Sequence, residues 1–477
     1  MRERTNHLCS NEIVMVLAAV FAFDLAACGG GGGGASSRDS GAGGSPDAGP
    51  GCVGPQCAFS VGNPVVVGQT PGGGASMSGF SVAIGSDGQT VAAGWSETGD
   101  QQIVKVSASR NGGQSFSTPI PVDLPTDVQL TAVHLQVTDG AGILAGAVAY
   151  QPDPAMATDD TAPWDSWARV YQSTDGAASF HQLADLKSAT GVRSFTDGGF
   201  SASPDGTTLV WSWVDVTPAD RLDPSAPPGN TVLASISSDS GQTFGAPQVI
   251  SSAPFIYATR LAAFVRAGGA GVVYAQQHPI TGLPTDVGFP YIAQAAASGA
   301  FAGGTQIAAD DFGAVPAGLD STVSGASPGA ALDKNGNIHV AWWSAETIGL
   351  WYASSSDGAS FSTPVRVFQT AQPTPANVKI AADGAGNAWI AALDGPGVRV
   401  FLIPAGGAPV EIKEAALATL GNSSRGYTVW ASVNDTFDIA GLPTSGAVLM
   451  WLGGQPPAAD ATTPPPPQPI NVRRIAP

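Results

Sequence analysis

Along most of the chain, short apolar runs alternate with Gly-, Asp- and Asn-rich turns in one recurring order. A first apolar run leads into a tight turn at Ser86-Asp87-Gly88, Pro204-Asp205-Gly206, Lys334-Asn335-Gly336 and Asp383-Gly384-Ala385-Gly386. A second run follows each turn: Thr90 to Trp95, Thr208 to Trp213, Asn337 to Trp343 and Asn387 to Leu393. A third comes after a polar loop, as in Gln102 to Ser109, Trp167 to Ser173, Thr231 to Ser238 and Leu350 to Ser356. Apolar runs this short, bounded by such residues, predict strands joined by hairpins and leave no segment for a long amphipathic helix.

Each unit of strand, turn, strand, loop, strand, turn and strand is a four-stranded antiparallel sheet. Units fall at about 78–122, 131–187, 197–250, 259–308, 327–368 and 376–413. A last set at about 417–453 offers strands Tyr427 to Val433 and Gly446 to Leu452 but no outer strand. Ala58 to Val67 resembles the outer strands Ser115 to Val122 and Ser360 to Val367, so residues 59–67 are expected to complete the last unit. Radial repetition of such sheets gives an all-β fold, a single β-propeller closed by an N-terminal strand. Seven blades are favoured, and six would hold if 417–453 were an appendage.

The turns before the fourth strands share a template: SRNGGQSF (Ser109 to Phe116), STDGAASF (Ser173 to Phe180), SSDSGQTF (Ser237 to Phe244) and SSSDGASF (Ser354 to Phe361). The third matches S-x-D-x-G-x-T-[FW] in full. The template resembles the Asp box, or BNR repeat, of sialidase-like propellers. Its carboxylate or amide can accept bonds from nearby backbone N–H groups, and its Gly supplies a positive φ. Asn111 can still make that bond, Ser356 displaces the acid to Asp357, and Ala177 in place of Gly should alter the second turn. The boxes are structural in this reading.

Low charge density fits an extracytoplasmic surface, and the N-terminus sharpens that expectation. Ile13 to Phe23 is an apolar run behind Arg2 and Arg4 that ends in Leu25-Ala26-Ala27-Cys28. The run is too short to span a bilayer, and its end resembles a bacterial lipobox. That likeness implies a lipoprotein signal peptide at 1–27, lipidation of Cys28, and a place on the outer membrane or cell surface; an ordinary cleaved signal is the alternative. Residues 28–57 are a Gly/Ser-rich tether, in which Cys52 and Cys57 are left as a pair for a small disulfide loop. The propeller takes 58–453, and the Pro-rich stretch 454–477 is expected to be a disordered tail. A formal charge of −18, from 19 basic and 37 acidic residues, excludes nucleic acid as a partner and leaves membrane contact to the anchor alone.

Propeller geometry puts the first turns and the boxes on one face, and the loops after second strands with the inter-blade connections on the other. On that second face lie Trp95, Glu97, Asp165, Asp215, Glu346 and Asp394, the candidate ligand-binding residues. Carboxylates beside aromatics suit a sugar or a cation, and the structural alternative is blade packing and turn formation. The likeness to sialidases implies an arginine clamp, a Tyr nucleophile with a Glu base, and an Asp acid/base. For such an enzyme the catalytic set would be Arg193, Arg260, Arg425 and Tyr427, with Arg221 on the same face. No Arg lies between Arg38 and Arg110, and the propeller holds only Glu97, Glu346, Glu411 and Glu414. The expectation is a monomeric, non-catalytic module for an extracellular glycan or surface protein, with an exo-α-sialidase-like glycoside hydrolase as the alternative. No His or Cys spacing suits a metal and no cofactor is expected; Ca²⁺ in the loop Asp153 to Asp165 is the one candidate.

Overall fold

The computed structural model describes residues 59–70, 76–98, 102–122, 129–151, 165–187, 198–215, 231–251, 261–278, 287–296, 299–308, 328–344, 349–369, 378–394, 397–417, 420, 436–454 and 467–477. All belong to one compact unit, 52–477. Seven antiparallel sheets account for its strands. Blades 1 to 6 are four-stranded in chain order, starting at Ser76–Ile84, Gln129–Val137, Gly199–Ala202, Leu261–Arg266, Gly329–Leu332 and Val378–Ala382. Blade 7 starts at Phe437–Gly441, and each of these inner strands touches the next around the circle, Phe437–Gly441 returning to Ser76–Ile84. The ring is closed and has seven blades.

The closing blade differs from expectation in one respect. Phe437–Gly441 pairs with Ala447–Leu452, which pairs with Pro469–Ala476. The outer edge is then filled by the N-terminal strands Ser60–Val61 and Val65–Gln69, both on Pro469–Ala476. The N-terminal closure therefore holds, but the end of the chain is the blade's third strand and not a disordered tail. The reason is burial: Ile470, Val472 and Ile475 are 0%, 1% and 0% exposed in the strand that pairs with Ala447–Leu452. The expected strand Tyr427 to Val433 lies outside the described residues.

Middle strands are apolar on both faces because each blade is sandwiched between two others; Ala447–Leu452 is buried at every position. Large rings seat on glycines of the preceding blade. A Cβ on Gly68 of blade 7 would stand 2.7 Å from the Trp95 ring of blade 1, and one on Gly146 of blade 2 would stand 2.2 Å from Trp211 of blade 3. Such contacts interdigitate the sheets at the density of a protein interior.

Candidate functional site

The four repeated turns lie between third and fourth strands and are internally saturated. In blade 2, Ser173 Oγ donates to Asp175 Oδ1 at 2.8 Å and accepts the Ala177 amide at 2.9 Å, while Asp175 accepts from the amides of Ala178 and Ser179 and from Ser179 Oγ. Blades 1 and 3 repeat this with Ser109–Asn111–Gly113 and Ser237–Asp239–Gly241. Ala177 alters its turn only slightly: it holds φ 66°, against 87° for Gly113 and 83° for Gly241, and keeps the same amide bond to the serine. In blade 5 the frame starts at Ser355, with Asp357 two residues on, and Gly358 donates to Ser355 Oγ one residue earlier than in the others. Hydrogen bonds from Ser179 and Ser173 hold the Asp175 carboxyl well below its ordinary range, bonds from Thr243 and Ser237 do the same at Asp239, and the Ser360 and Ala359 amides lower Asp357. Carboxylates committed in this way stabilise their turns.

The first turns on the same face are tied to one another. The Asp139 amide donates to Pro204 O, Ser86 Oγ to Asp139 Oδ1, and the Gly384 amide to Leu442 O, each linking neighbouring blades. In blade 5, Asp333 accepts from the Asn335 and Asn337 amides and lies 3.7 Å from His339 Nε2, while His339 Nδ1 meets Tyr352 Oη at 2.6 Å. Burial lowers the His339 pKa against the opposing pull of Asp333 and Asp383, so this histidine is neutral at pH 7.

On the opposite rim the candidate residues separate into three groups. Trp95 is 0% exposed, inside the seam of blades 1 and 7, and its indole N–H donates to Glu97 Oε1 at 2.8 Å. Glu97, 6% exposed, takes Lys105 Nζ on its other oxygen at 2.7 Å. This pair is part of the packing, and Trp95 is not a ligand-facing aromatic. Trp167, Trp213 and Trp343 are likewise buried. Asp394 is half-buried and pairs at 3.4 Å with Arg399, whose guanidinium also grips Glu411 at 2.9 and 3.0 Å and lies over the stacked rings of Phe368 and Phe401. Asp165 opens a third strand and Asp215 ends a second one, so both stand on this rim. Glu346, Arg193, Arg221, Arg260, Arg425, Tyr427, Cys28, Cys52 and Cys57 lie outside the described residues. Among the described residues no three His, Cys, Asp or Glu side chains are grouped to hold a metal.

Sequence reasoning passed over the axis. Inner strands enclose a cavity of about 270 Å³ lined by Ser81, His134, Gln136, Lys379 and Asp438 together with glycines and apolar residues that include Phe80 and Phe200. Asp438 Oδ2 accepts the Val82 amide at 2.8 Å across the closing seam, and Ser81 Oγ accepts the Leu135 amide at 2.9 Å. A polar residue repeatedly placed within an otherwise apolar first run was the signal available.

No family model matches the sequence, and no curated protein matches it. Among solved structures, similar chains include a protein of unknown function from Dyadobacter fermentans, 12% identical over 88% of this chain and 99% of that one, TM-score 0.49. Another is an α-L-arabinofuranosidase of Fusarium graminearum crystallised with arabinobiose, 12% identical over 87% and 98%, TM-score 0.49. A third is Trypanosoma rangeli sialidase, 10% identical over 84% of this chain and 54% of that chain, TM-score 0.39.

Proposed function

We propose that the chain is an exported, lipid-anchored propeller of the Asp-box type that binds an extracellular glycan or surface protein through its loop face and catalyses no reaction. The observation that supports this is the state of the rim carboxylates. Glu97 is locked between Trp95 and Lys105, and Asp394 is locked on Arg399. A glycosidase needs one carboxyl group to give a proton and a second to attack or to activate water. A carboxylate whose oxygens are engaged by an indole N–H, an ammonium or a guanidinium is held in place by those partners. The same fold serves binding and catalysis alike, so the site and not the architecture carries this reading.

The test is a glycan array and a fluorogenic sialoside assay on the exported chain, followed by capture of surface proteins. Saturable binding to a glycan or a protein without turnover is the expected result. Sialoside turnover that Tyr427→Phe abolishes would overturn it in favour of the hydrolase. Palmitate labelling that Cys28→Ser removes would support the anchor, and labelling that survives the change would refute it.

A further inference from the structure

Chain direction distinguishes the two faces of the ring. In blade 7, Pro469–Ala476 starts beside Leu452, the last residue of a second strand and so at the loop rim, and ends beside Ala447, which follows the first turn. Its far end meets the Asp-box side twice. A Cβ on Gly446 of the first turn would collide with Ile475 O, and Arg474 Nη1 donates at 3.2 Å to Gly112 O in the repeated turn of blade 1. Ser60 pairs with Ala476, and the Gly62 amide donates to Arg474 O. The N-terminal strands then descend the flank, Val65 beside Val472 and Gln69 beside Pro469, and reach the loop rim before blade 1 begins. Phe59 and Ser60 therefore stand where blades 1, 2, 3 and 5 carry an Asp box.

That entry point is fastened. The Phe59 ring meets Trp389 edge-on with centroids 5.0 Å apart, and Trp389, 0% exposed, donates its indole N–H to Asp383 at the first turn of blade 6. Ser60 Oγ donates to Ala476 O at 3.1 Å. Whatever precedes Phe59 thus joins the ring on the Asp-box face, and eight residues of strand, about 25 Å of rise, separate it from the loop rim. The Asp-box face itself is unsuited to a bilayer. It carries Asp87, Asp175, Asp205, Asp239 and Asp357, whose lowered pKa values keep them ionised, beside Arg110 and Lys334. The large apolar residues exposed among those described, Val66, Val249 and Val365, are on outer strands instead.

We infer that the Asp-box face is the side of the ring turned to the membrane, and that the loop face points away from it, toward a partner that approaches from outside and is not seated in the same membrane. This orientation rests on the lipid anchor at Cys28 and on the loop-face binding proposed above. A chain that pulls at Phe59 brings the loop rim to the bilayer only by turning the ring over, and the connection must then cover the height of the ring as well, about 25 Å more.

The experiment reads distance from a bilayer by energy transfer from a dye on one introduced cysteine to an acceptor lipid in phosphatidylcholine vesicles. Lys334→Cys places the dye at the first turn of blade 5, on the Asp-box face; Gln369→Cys places it at the loop-rim end of the outer strand of the same blade, and both positions are exposed. A background with Cys52→Ser and Cys57→Ser confines the dye to them. The lipidated chain should transfer more from Lys334→Cys than from Gln369→Cys. Deleting residues 29–51 should widen the gap, because the connection left between Cys28 and Phe59 reaches at most about 28 Å. A hexahistidine tag in place of residues 1–51, held by nickel-chelating lipid, should give the same order with no lipid on the chain. Equal or reversed transfer in the tagged chain would overturn the assignment of faces. The expected order with the tag, but no transfer from either position in the chain that carries Cys28, would refute the anchor and the membrane-facing orientation with it.

Discussion

Asp383 is the sharpest test of how blades 6 and 7 are joined. Its side chain sits in a 1% exposed residue at the first turn of blade 6. One oxygen accepts the Ala385 and Asn387 amides at 2.9 and 3.0 Å. The other accepts Asn387 Nδ2 at 3.0 Å, Trp389 Nε1 at 2.9 Å and, from blade 7, the Gly446 amide at 2.9 Å. Asp383→Ala leaves the Trp389 indole and the Gly446 amide buried without an acceptor, since both are shut away from water. At about 1–3 kcal/mol for each of the two unsatisfied buried donors, the loss is about 2–6 kcal/mol. That is a large part of the stability of an ordinary domain. Asp383→Asn keeps one acceptor but turns an NH₂ group toward donors, and should cost about 2 kcal/mol. Asp205→Ala, at an exposed turn of blade 3, should cost under about 1 kcal/mol and serves as the comparison. Urea denaturation followed by tryptophan fluorescence measures all three. If Asp383→Ala proves no worse than Asp205→Ala, the carboxylate is not what fastens this seam.

Three further outcomes follow from the geometry. Ending the chain after Gly454 removes Ile470, Val472 and Ile475; at about 1.5–3 kcal/mol for each buried side chain, cooperative unfolding should vanish from a circular-dichroism melt, and a preserved melt would contradict the closing role of this strand. Acid should act in two windows. His339 has a lowered folded pKa, so its contribution is complete above the unfolded value near 6.5 and lost as pH falls below it; the turn aspartates Asp87, Asp175, Asp205, Asp239 and Asp357 are also lowered, and theirs is lost only below about pH 4. Melting midpoints against pH should therefore decline from about pH 6.5, and His339→Gln should flatten that first decline while leaving the second. Gly68→Ala places a methyl against the Trp95 ring and should destabilise by about 1–3 kcal/mol in the same denaturation assay, a neutral result arguing against tight contact between blades 7 and 1.

Most of the ring was legible because two local signals, the Asp/Asn-Gly first turn and the Ser/Asp/Gly turn before the outer strand, coincide in blades 1, 3 and 5 and at least one of them marks blades 2 and 6. Where one signal was missing the reading slipped. Pro469–Ala476 follows a run of prolines and carries Arg473 and Arg474, which suggested a solvated tail. In the ring both arginines have uses that no local pattern announces: Arg473 lies 5.3 Å over the Trp451 ring, and Arg474 donates to Gly112 O in blade 1. The rim residues were misjudged for a related reason. A glutamate at the end of a second strand looks exposed when strand ends are taken as surface, but the neighbouring blades bury both faces of that strand. Trp95 and Glu97, two residues apart, share one face and meet Lys105 from the adjacent strand there. The residues around the axial cavity were invisible for a third reason, since positions spread along more than 350 residues of sequence become neighbours only when the ring shuts; Val82 and Asp438 are 356 apart.

Blade 7 is shared by the two ends of the chain, with Ser60 opposite Ala476 at a separation of 416 residues. Joining two such points in a structureless chain costs on the order of 5 kcal/mol in loop entropy, so the six internally complete blades must stack first and bring the ends together. Closure then waits on Pro469–Ala476. Until then Val65–Gln69 has no partner strand, and an open edge of this kind invites pairing with other chains.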